Sequence, residues 1–269
     1  MYIFDVKTIV VPTDFSASAE NAMFYAGQLA TITGASVLLL HVYQVPVGMN
    51  DMPVLMVSTD ELKKSADTGL SRARELLQKN FGSLDVQAES RLGDVTTELE
   101  DVCKTLNPFV IVVGKHGASG VQRILFGSTS LSIIRHTRYP VIVVPDQLHN
   151  QSIKNAALAV DSSPENIPVQ KINTIIGELK IQLHIIHVQQ EKTASLDLRN
   201  LDAKLNATHT TIYDHEFVHG IESYVRENNI DLLIIFPRKH NLIERLFFRT
   251  HTPELLKKAS VPIMCVNED

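Results

Sequence analysis

"VVGKHGASGVQRILFGSTS", residues 112–130, leaves a run of β-branched residues and then spaces glycines at 114, 117, 120 and 127, with three hydroxyls directly after the last. Glycine inside a helix or strand costs about 0.5–1 kcal/mol relative to alanine, so this density implies a backbone that must bend or be approached closely. The run before it, "FVIVVG" at 109–114, reads as a buried strand, and "STSLSIIRH" after Gly127 reads as the beginning of a helix. The free N–H groups of that helix start, with Ser128, Thr129 and Ser130, form a site for an anion, and the natural anion is phosphate. Each helix-end contact contributes about 0.3–1 kcal/mol, so several donors must converge to hold a polyphosphate against water.

Further apolar runs occur at "TIVVP" (8–12), "SVLLLHV" (36–42), "DVQAES" (85–90) and "VIVVP" (141–145), with helical patterns between them. "SASAENAMFYAGQLATITG" places Ala22, Tyr25, Ala26 and Leu29 on one stripe and stops at Gly34. The next helix opens with the S-x-x-E box of Ser58 and Glu61, and another starts from Asp94 as N-cap and ends before Pro108. Strand then helix, repeated, predicts a parallel sheet covered on both faces, with ligands beyond the carboxyl ends of the strands where the strand order reverses.

The same order then returns. "KTIVVPTDFS" from Lys7 matches "KNAALAVDSS" from Lys154, aligning Asp14 with Asp161; "SVLLLHV" matches "QLHIIHV", aligning His41 with His187; and 109–144 matches 231–266 without a gap. Two copies of one fold are expected, with the polar stretch "DQLHNQS" as linker and a boundary near Asn150. The second copy is shorter, chiefly because "YQVPVGMNDMPVLMVSTDE" has a reduced counterpart.

The chain has 269 residues, 44% hydrophobic and 20% charged, enough for two ordinary globular domains. A net charge of -5 offers no broad cationic field for nucleic acid or anionic lipid. The start lacks a basic segment followed by an apolar one, and the apolar runs are too short to cross a bilayer, so a cytoplasmic protein is expected. Cys103 and Cys265 read as buried free thiols. Neither G-x-x-x-x-G-K-[ST] nor G-x-G-x-x-G occurs, which argues against a P-loop ATPase and an ordinary dinucleotide enzyme.

The spacing present is G-x2-G-x9-G-[ST], carried by Gly114, Gly117, Gly127 and Ser128. It resembles the nucleotide-binding signature of the universal stress protein family, to which "VVPTDFS" at 10–16 and "GDVTTELEDV" at 93–102 are also similar. The resemblance implies two tandem doubly wound α/β domains, 1–148 and 152–269, each with a five-stranded parallel sheet, the edge strands "VIVVP" and "PIMCV" pairing the copies into an intramolecular pseudo-dimer. It implies ATP, or ADP or AMP, in the first domain, with or without Mg2+. By matching position, Pro12, Thr13 and Asp14 meet adenine and ribose, and Val42 offers backbone to the base. Val113, Gly114, His116 and Gly117 line ribose and phosphates, while Gly127, Ser128, Thr129 and Ser130 hold the phosphate chain. For Asp14 a helix N-cap is the other reading, and for His116 a solvated loop histidine. Nucleotide occupancy would bias the loops at 43–61 and 115–127 and so report energy state to a protein partner, which the sequence does not name; a homodimer is compatible.

In the second copy Phe236, Lys239 and Arg249 replace Gly114, Gly117 and Gly127, and Thr250 alone keeps the hydroxyl of Ser128. Side chains there obstruct close approach and make φ > 0 costly by about 1–2 kcal/mol, so this copy is expected not to bind ATP in the same manner. Arg238 and Arg245 join these replacements as a basic loop. "HEFVH" at 215–219 matches the zinc-protease motif H-E-x-x-H, but the repeat puts it at a helix start, no third ligand is indicated, and Gly220 follows. His209 and His251 are the other histidines weighed for a non-catalytic zinc site. No catalytic residue and no metal ligand is assigned. The rival functions are a scaffold that binds no nucleotide, and a zinc-binding variant with weak ATPase activity.

Overall fold

The computed structural model describes residues 7–45, 58–116, 127–146, 153–160, 167–189, 197–236, 254–255 and 259–267. Two compact units divide the chain, one holding residues up to Arg123 with Gly127–Thr137, the other holding Arg138–Asp269.

In the first unit, β1 (Thr8–Pro12) buries Ile9, Val10 and Val11 completely, each worth roughly 1.5–3 kcal/mol against exposure. Ser16 then caps α1 (Ala17–Thr33), its hydroxyl accepting from the Ala19 N–H at 3.2 Å, and Gly34 closes the helix in the left-handed conformation at φ 69°. The stripe of Ala22, Tyr25, Ala26 and Leu29 is buried as its spacing predicts. After β2 (Ser36–Tyr43) comes α2 (Thr59–Phe81), opened by the capping box: the Ser58 hydroxyl accepts from the Glu61 N–H and the Glu61 carboxylate from the Ser58 N–H, both at 3.2 Å. β3 (Val86–Leu92), α3 (Val95–Leu106), β4 (Val110–Gly114) and α4 (Ser128–His136) complete the unit. Asp94 caps α3 by accepting from the N–H groups of Thr96 and Thr97.

The strands of this unit lie in the order β3-β2-β1-β4, paired in parallel, with Pro12 beside Leu40 and Val10 beside Ile111. The chain steps from β1 through β2 to β3 and then returns across β1 to β4. Right-handed crossovers therefore put α1 and α2 on one face of the sheet and α3 and α4 on the other. The Thr96 and Ser132 hydroxyls, 3.2 Å apart, tie α3 to α4.

The second unit holds β5 (Val141–Val144), β6 (Asn155–Val160), α5 (Val169–Leu179), β7 (Gln182–Gln189), α6 (Arg199–Leu205), β8 (Thr208–Tyr213), α7 (Phe217–Glu227), β9 (Leu232–Ile235) and β10 (Ile263–Cys265). Its strand order is β5-β10-β9-β6-β7-β8, parallel except where β5 meets β10. The two strands "VIVVP" and "PIMCV" do pair, antiparallel, with Val143 beside Ile263 and Val141 beside Cys265. By its contacts β5 falls in the second unit. The doubly wound α/β plan recurs in both units. Cys103 and Cys265 are buried, and neither is in a disulfide.

Candidate functional site

Because the chain leaves β1 and β4 in opposite directions, a crevice opens beyond their carboxyl ends. A cavity of ≈ 140 Å³ lies there. β1 and the turn after it bring Pro12, Thr13 and Asp14; β2 brings Val42; β4 and the residues after it bring Val113, Gly114 and His116. The start of α4 brings Gly127, Ser128, Thr129 and Ser130. Every residue assigned from the sequence thus lines one cavity except Gly117, which lies outside the described residues, as do Asp161, Arg238, Lys239, Arg245, Arg249, Thr250 and His251. Sequence reasoning missed Leu40, Val95 and Ile133, apolar positions that the register of β2 and the N-terminal turns of α3 and α4 carry to the wall. The described walls enclose less than the ~300–1,000 Å³ of a complete small-molecule pocket.

The turn after β1 is tightly specified. The Thr13 N–H donates to the Leu40 carbonyl at 2.9 Å, the Thr13 hydroxyl accepts from the Phe15 N–H at 3.1 Å, and the Asp14 carboxylate accepts from the Ser16 N–H at 3.0 Å. Asp14 therefore braces the turn, and the cap of α1 is Ser16, two residues on, which corrects the reading of Asp14 as the N-cap. Between them Phe15 has φ 62°, a conformation that costs a bulky residue about 1–3 kcal/mol and persists only where neighbours over-determine it.

Gly114 and Gly127 need a correction. Neither has a positive φ: among the described glycines only Gly34, Gly82 and Gly93 do. Gly127 sits at φ -62° in extended backbone that any residue adopts. Gly114 is required for a different reason. A Cβ there would lie 2.5 Å from the carbonyl oxygen of Ser18, so the first turn of α1 passes directly over the end of β4. Ser18 fixes this crossing, since its buried hydroxyl accepts from the His116 N–H at 3.1 Å. Ser130 fixes the other side, its buried hydroxyl donating to the Gly114 carbonyl at 2.9 Å. The Ser130 hydroxyl proton is thus committed to the scaffold, whereas Ser128 and Thr129 are exposed at the cavity.

The start of α4 is the electrostatic centre of the site. Gly127 is its N-cap and offers no side chain, its carbonyl accepts from the Leu131 N–H, and no acidic residue stands in the first turn. The N–H groups of Ser128, Thr129 and Ser130 thus have no intrahelical acceptor, and the positive end of the helix dipole faces the cavity. An anion fits this end: N–H donors and two exposed hydroxyls are present, and among the described lining residues the one carboxylate is that of Asp14.

A larger cavity of ≈ 690 Å³ lies between α1 and α2, sharing Thr13 with the first. Size does not make it the better site. Its charged lining mixes Lys64 and Arg72 with Glu20 and Glu61, acidic residues in the first turns of α1 and α2, and Glu61 is held in the capping box. The "HEFVH" segment also resolves: α7 begins at Phe217, so His215 precedes the helix and shares no helical face with His219. His219 instead contacts the Asp214 carboxylate at 2.6 Å, and His209 contacts Asp202 at 2.5 Å. Among the described residues, no group of three or more His, Cys, Asp or Glu gathers to hold a metal. Burial pushes the thiols of Cys103 and Cys265 up to about 12, far from nucleophilic readiness. No helix among the described residues is long and apolar enough to cross a membrane.

Comparison with known proteins agrees with this architecture. The model of the universal stress protein family matches twice, over residues 5–145 and 157–267. A universal stress protein of Synechocystis, Slr1230, is 27% identical over 96% of this chain and 99% of its own length. One from Mycolicibacterium smegmatis is 30% identical over 58% of this chain, which spans 54% of that relative. The crystal structure of a universal stress protein from Archaeoglobus fulgidus superposes with a TM-score of 0.74 at 18% identity, covering 99% of this chain and 98% of its own, a likeness of fold. With a doubled family match that takes in both copies of the repeat, the chain belongs to the universal stress protein family, as a tandem two-domain member.

Proposed function

We propose that the first unit binds ATP or a related adenine nucleotide, ADP or AMP, with or without Mg2+, and that the protein is a nucleotide-responsive binding protein of the cytoplasm. The repeat over 1–148 carries the site, and the repeat over 152–269 is its degenerate partner. One observation carries the reading: the uncapped start of α4 and the carboxylate of Asp14 face the same crevice at the reversal of strand order. The free N–H groups suit phosphate, the carboxylate suits ribose hydroxyls, and Leu40, Val42 and Val95 offer the base an apolar wall. Occupancy would report energy state through a change in the surface offered to a partner.

Calorimetric titration tests this. ATP at a hundred times its dissociation constant stabilises the native state by about 2.7 kcal/mol, a rise in Tm of roughly 5–10 °C. Gly127→Arg, which installs the residue of the second copy, is expected to abolish both the heat and the shift. A wild-type protein that shows neither with ATP, ADP or AMP refutes the proposal.

A further inference from the structure

The strained turn at Phe15 has two neighbours that nothing in the nucleotide signature points to. His41, at the end of β2, places Nδ1 2.7 Å from the Thr13 carbonyl oxygen. A carbonyl only accepts, so Nδ1 carries the proton and donates. The face of the same imidazole lies against the Phe15 ring, with centroids 4.4 Å apart. On its other side the Phe15 ring sits against Gly69 of α2, where an added Cβ would fall 2.6 Å from it. The segment from Thr13 to Phe15 is thus held at its carbonyl and at its ring, and the residue between is Asp14.

The internal repeat separates two roles of this histidine. In the second copy His187 donates from Nδ1 to the Val160 carbonyl at 2.9 Å, the same bond at the aligned position, so the bond belongs to the framework of the turn in both copies. Ser162 stands where the first copy has Phe15, so the aligned position offers His187 no ring. The ring contact and the left-handed φ occur in the copy that keeps Gly114, Gly127 and the hydroxyls.

We infer that His41 is a positioning residue for the ligand site of the first unit: by holding the Thr13 carbonyl and backing the Phe15 ring, it sets the direction of Asp14. The inference rests on the nucleotide reading for its effect on affinity, but its effect on the turn stands apart from any ligand. Two substitutions separate geometry from bulk. Asparagine can place a side-chain N–H where Nδ1 stands, one bond from Cγ, whereas glutamine places it a bond further out.

His41→Ala and His41→Gln are expected to raise the ATP dissociation constant about tenfold, and His41→Asn to stay near the wild-type value. His187→Ala is expected to lower Tm without changing that constant. In an Asp14→Ala background, His41→Ala is expected to cost no further affinity, because its effect runs through Asp14. Amide hydrogen exchange at Ser16, whose N–H is bonded to Asp14, reads the turn without ligand: His41→Ala is expected to speed it and His41→Asn to restore it. Equal ATP affinities for the asparagine and glutamine variants, or unchanged Ser16 exchange in His41→Ala, would overturn the inference. If wild type binds no ATP, the nucleotide reading alone fails, and the exchange experiment still decides whether His41 holds the turn.

Discussion

The two copies of the fold differ in sequence at the carboxyl end of the fourth strand, β4 in one and β9 in the other. In the first, Gly114 lets the opening turn of α1 cross the strand end with Ser18 against it, and α1 begins at Ala17. In the second, Phe236 stands at the same position of the repeat, and the helix described after β6 is α5, Val169–Leu179. A side chain at the end of the fourth strand and a helix passing over it at van der Waals contact exclude each other. The difference teaches that this glycine serves the approach of the protein's own backbone before that of any ligand.

Introducing the second copy's side chain into the first breaks this contrast most severely. Even Gly114→Ala puts a Cβ 2.5 Å from the Ser18 carbonyl oxygen, and backbone is the least yielding of neighbours. Overpacking of this kind costs about 1–3 kcal/mol. Denaturant unfolding of Gly114→Ala is expected to show that loss, together with loss of ATP-induced stabilisation. If the variant unfolds at the wild-type midpoint, the crossing of α1 over β4 is not the reason for the glycine.

Much of this was readable from residues alone, because the signals were local. The stripe on α1, the box of Ser58 and Glu61, the cap at Asp94 and the repeat each lie within a window where periodicity or spacing speaks. The cavity residues were reached through the family resemblance that the spaced glycine motif carries, position by position. What was not readable was long-range. Ser18 meets His116 across 98 positions, and no spacing announces it. Ser130 lies among exposed hydroxyls in sequence, yet turns inward to the Gly114 carbonyl. The glycines were credited with left-handed backbone, whereas the left-handed residue beside the site is Phe15, a residue whose type discourages the assignment. Its ring meets His41 and Gly69, which come from β2 and α2, far along the chain.

The seat of Phe15 on α2 gives a second, smaller contrast, since α6 of the second copy has only 7 residues against 23 in α2 and Ser162 replaces Phe15. Gly69→Ala improves the intrinsic helix propensity of α2 by about 1 kcal/mol, yet its methyl meets the Phe15 ring at 2.6 Å. In wild type the clash is expected to outweigh the gain, lowering stability and displacing Phe15. With Phe15→Ala beforehand, the same change is expected to stabilise by about 0.5–1 kcal/mol. That reversal of sign, read by thermal unfolding of the four proteins of the cycle, sharpens the claim that α2 is shaped to hold the turn. Stabilisation by Gly69→Ala in both backgrounds would remove it.

The smallest expected effect concerns how the two copies start the helix before the fourth strand. In the first unit Asp94 caps α3 through two N–H groups of its own backbone, a contact between neutral donors and a carboxylate. In the second, Glu216 is the N-cap of α7 without a side-chain bond, and Asp214 accepts from the Glu216 N–H and contacts His219. The Asp214 carboxyl is held below its usual 3.8, first by the Glu216 N–H and then by His219, while His219 is raised above its usual 6.5 by the Asp214 carboxylate. A raised histidine contributes stability that is complete below pH 6.5 and is lost as pH rises through its folded-state value; a lowered carboxyl contributes stability above pH 3.8 that is lost as pH falls through its own. The pair is therefore at full strength between these limits, and the second unit is expected to lose a little stability from pH 6.5 upward. His219 is 64% exposed, so solvent screening keeps the change small. Tm measured across pH 5 to 8.5 is expected to show this decline in wild type and a flatter profile in His219→Gln. Identical profiles for the two proteins would mean that His219 gives the start of α7 no pH-dependent support.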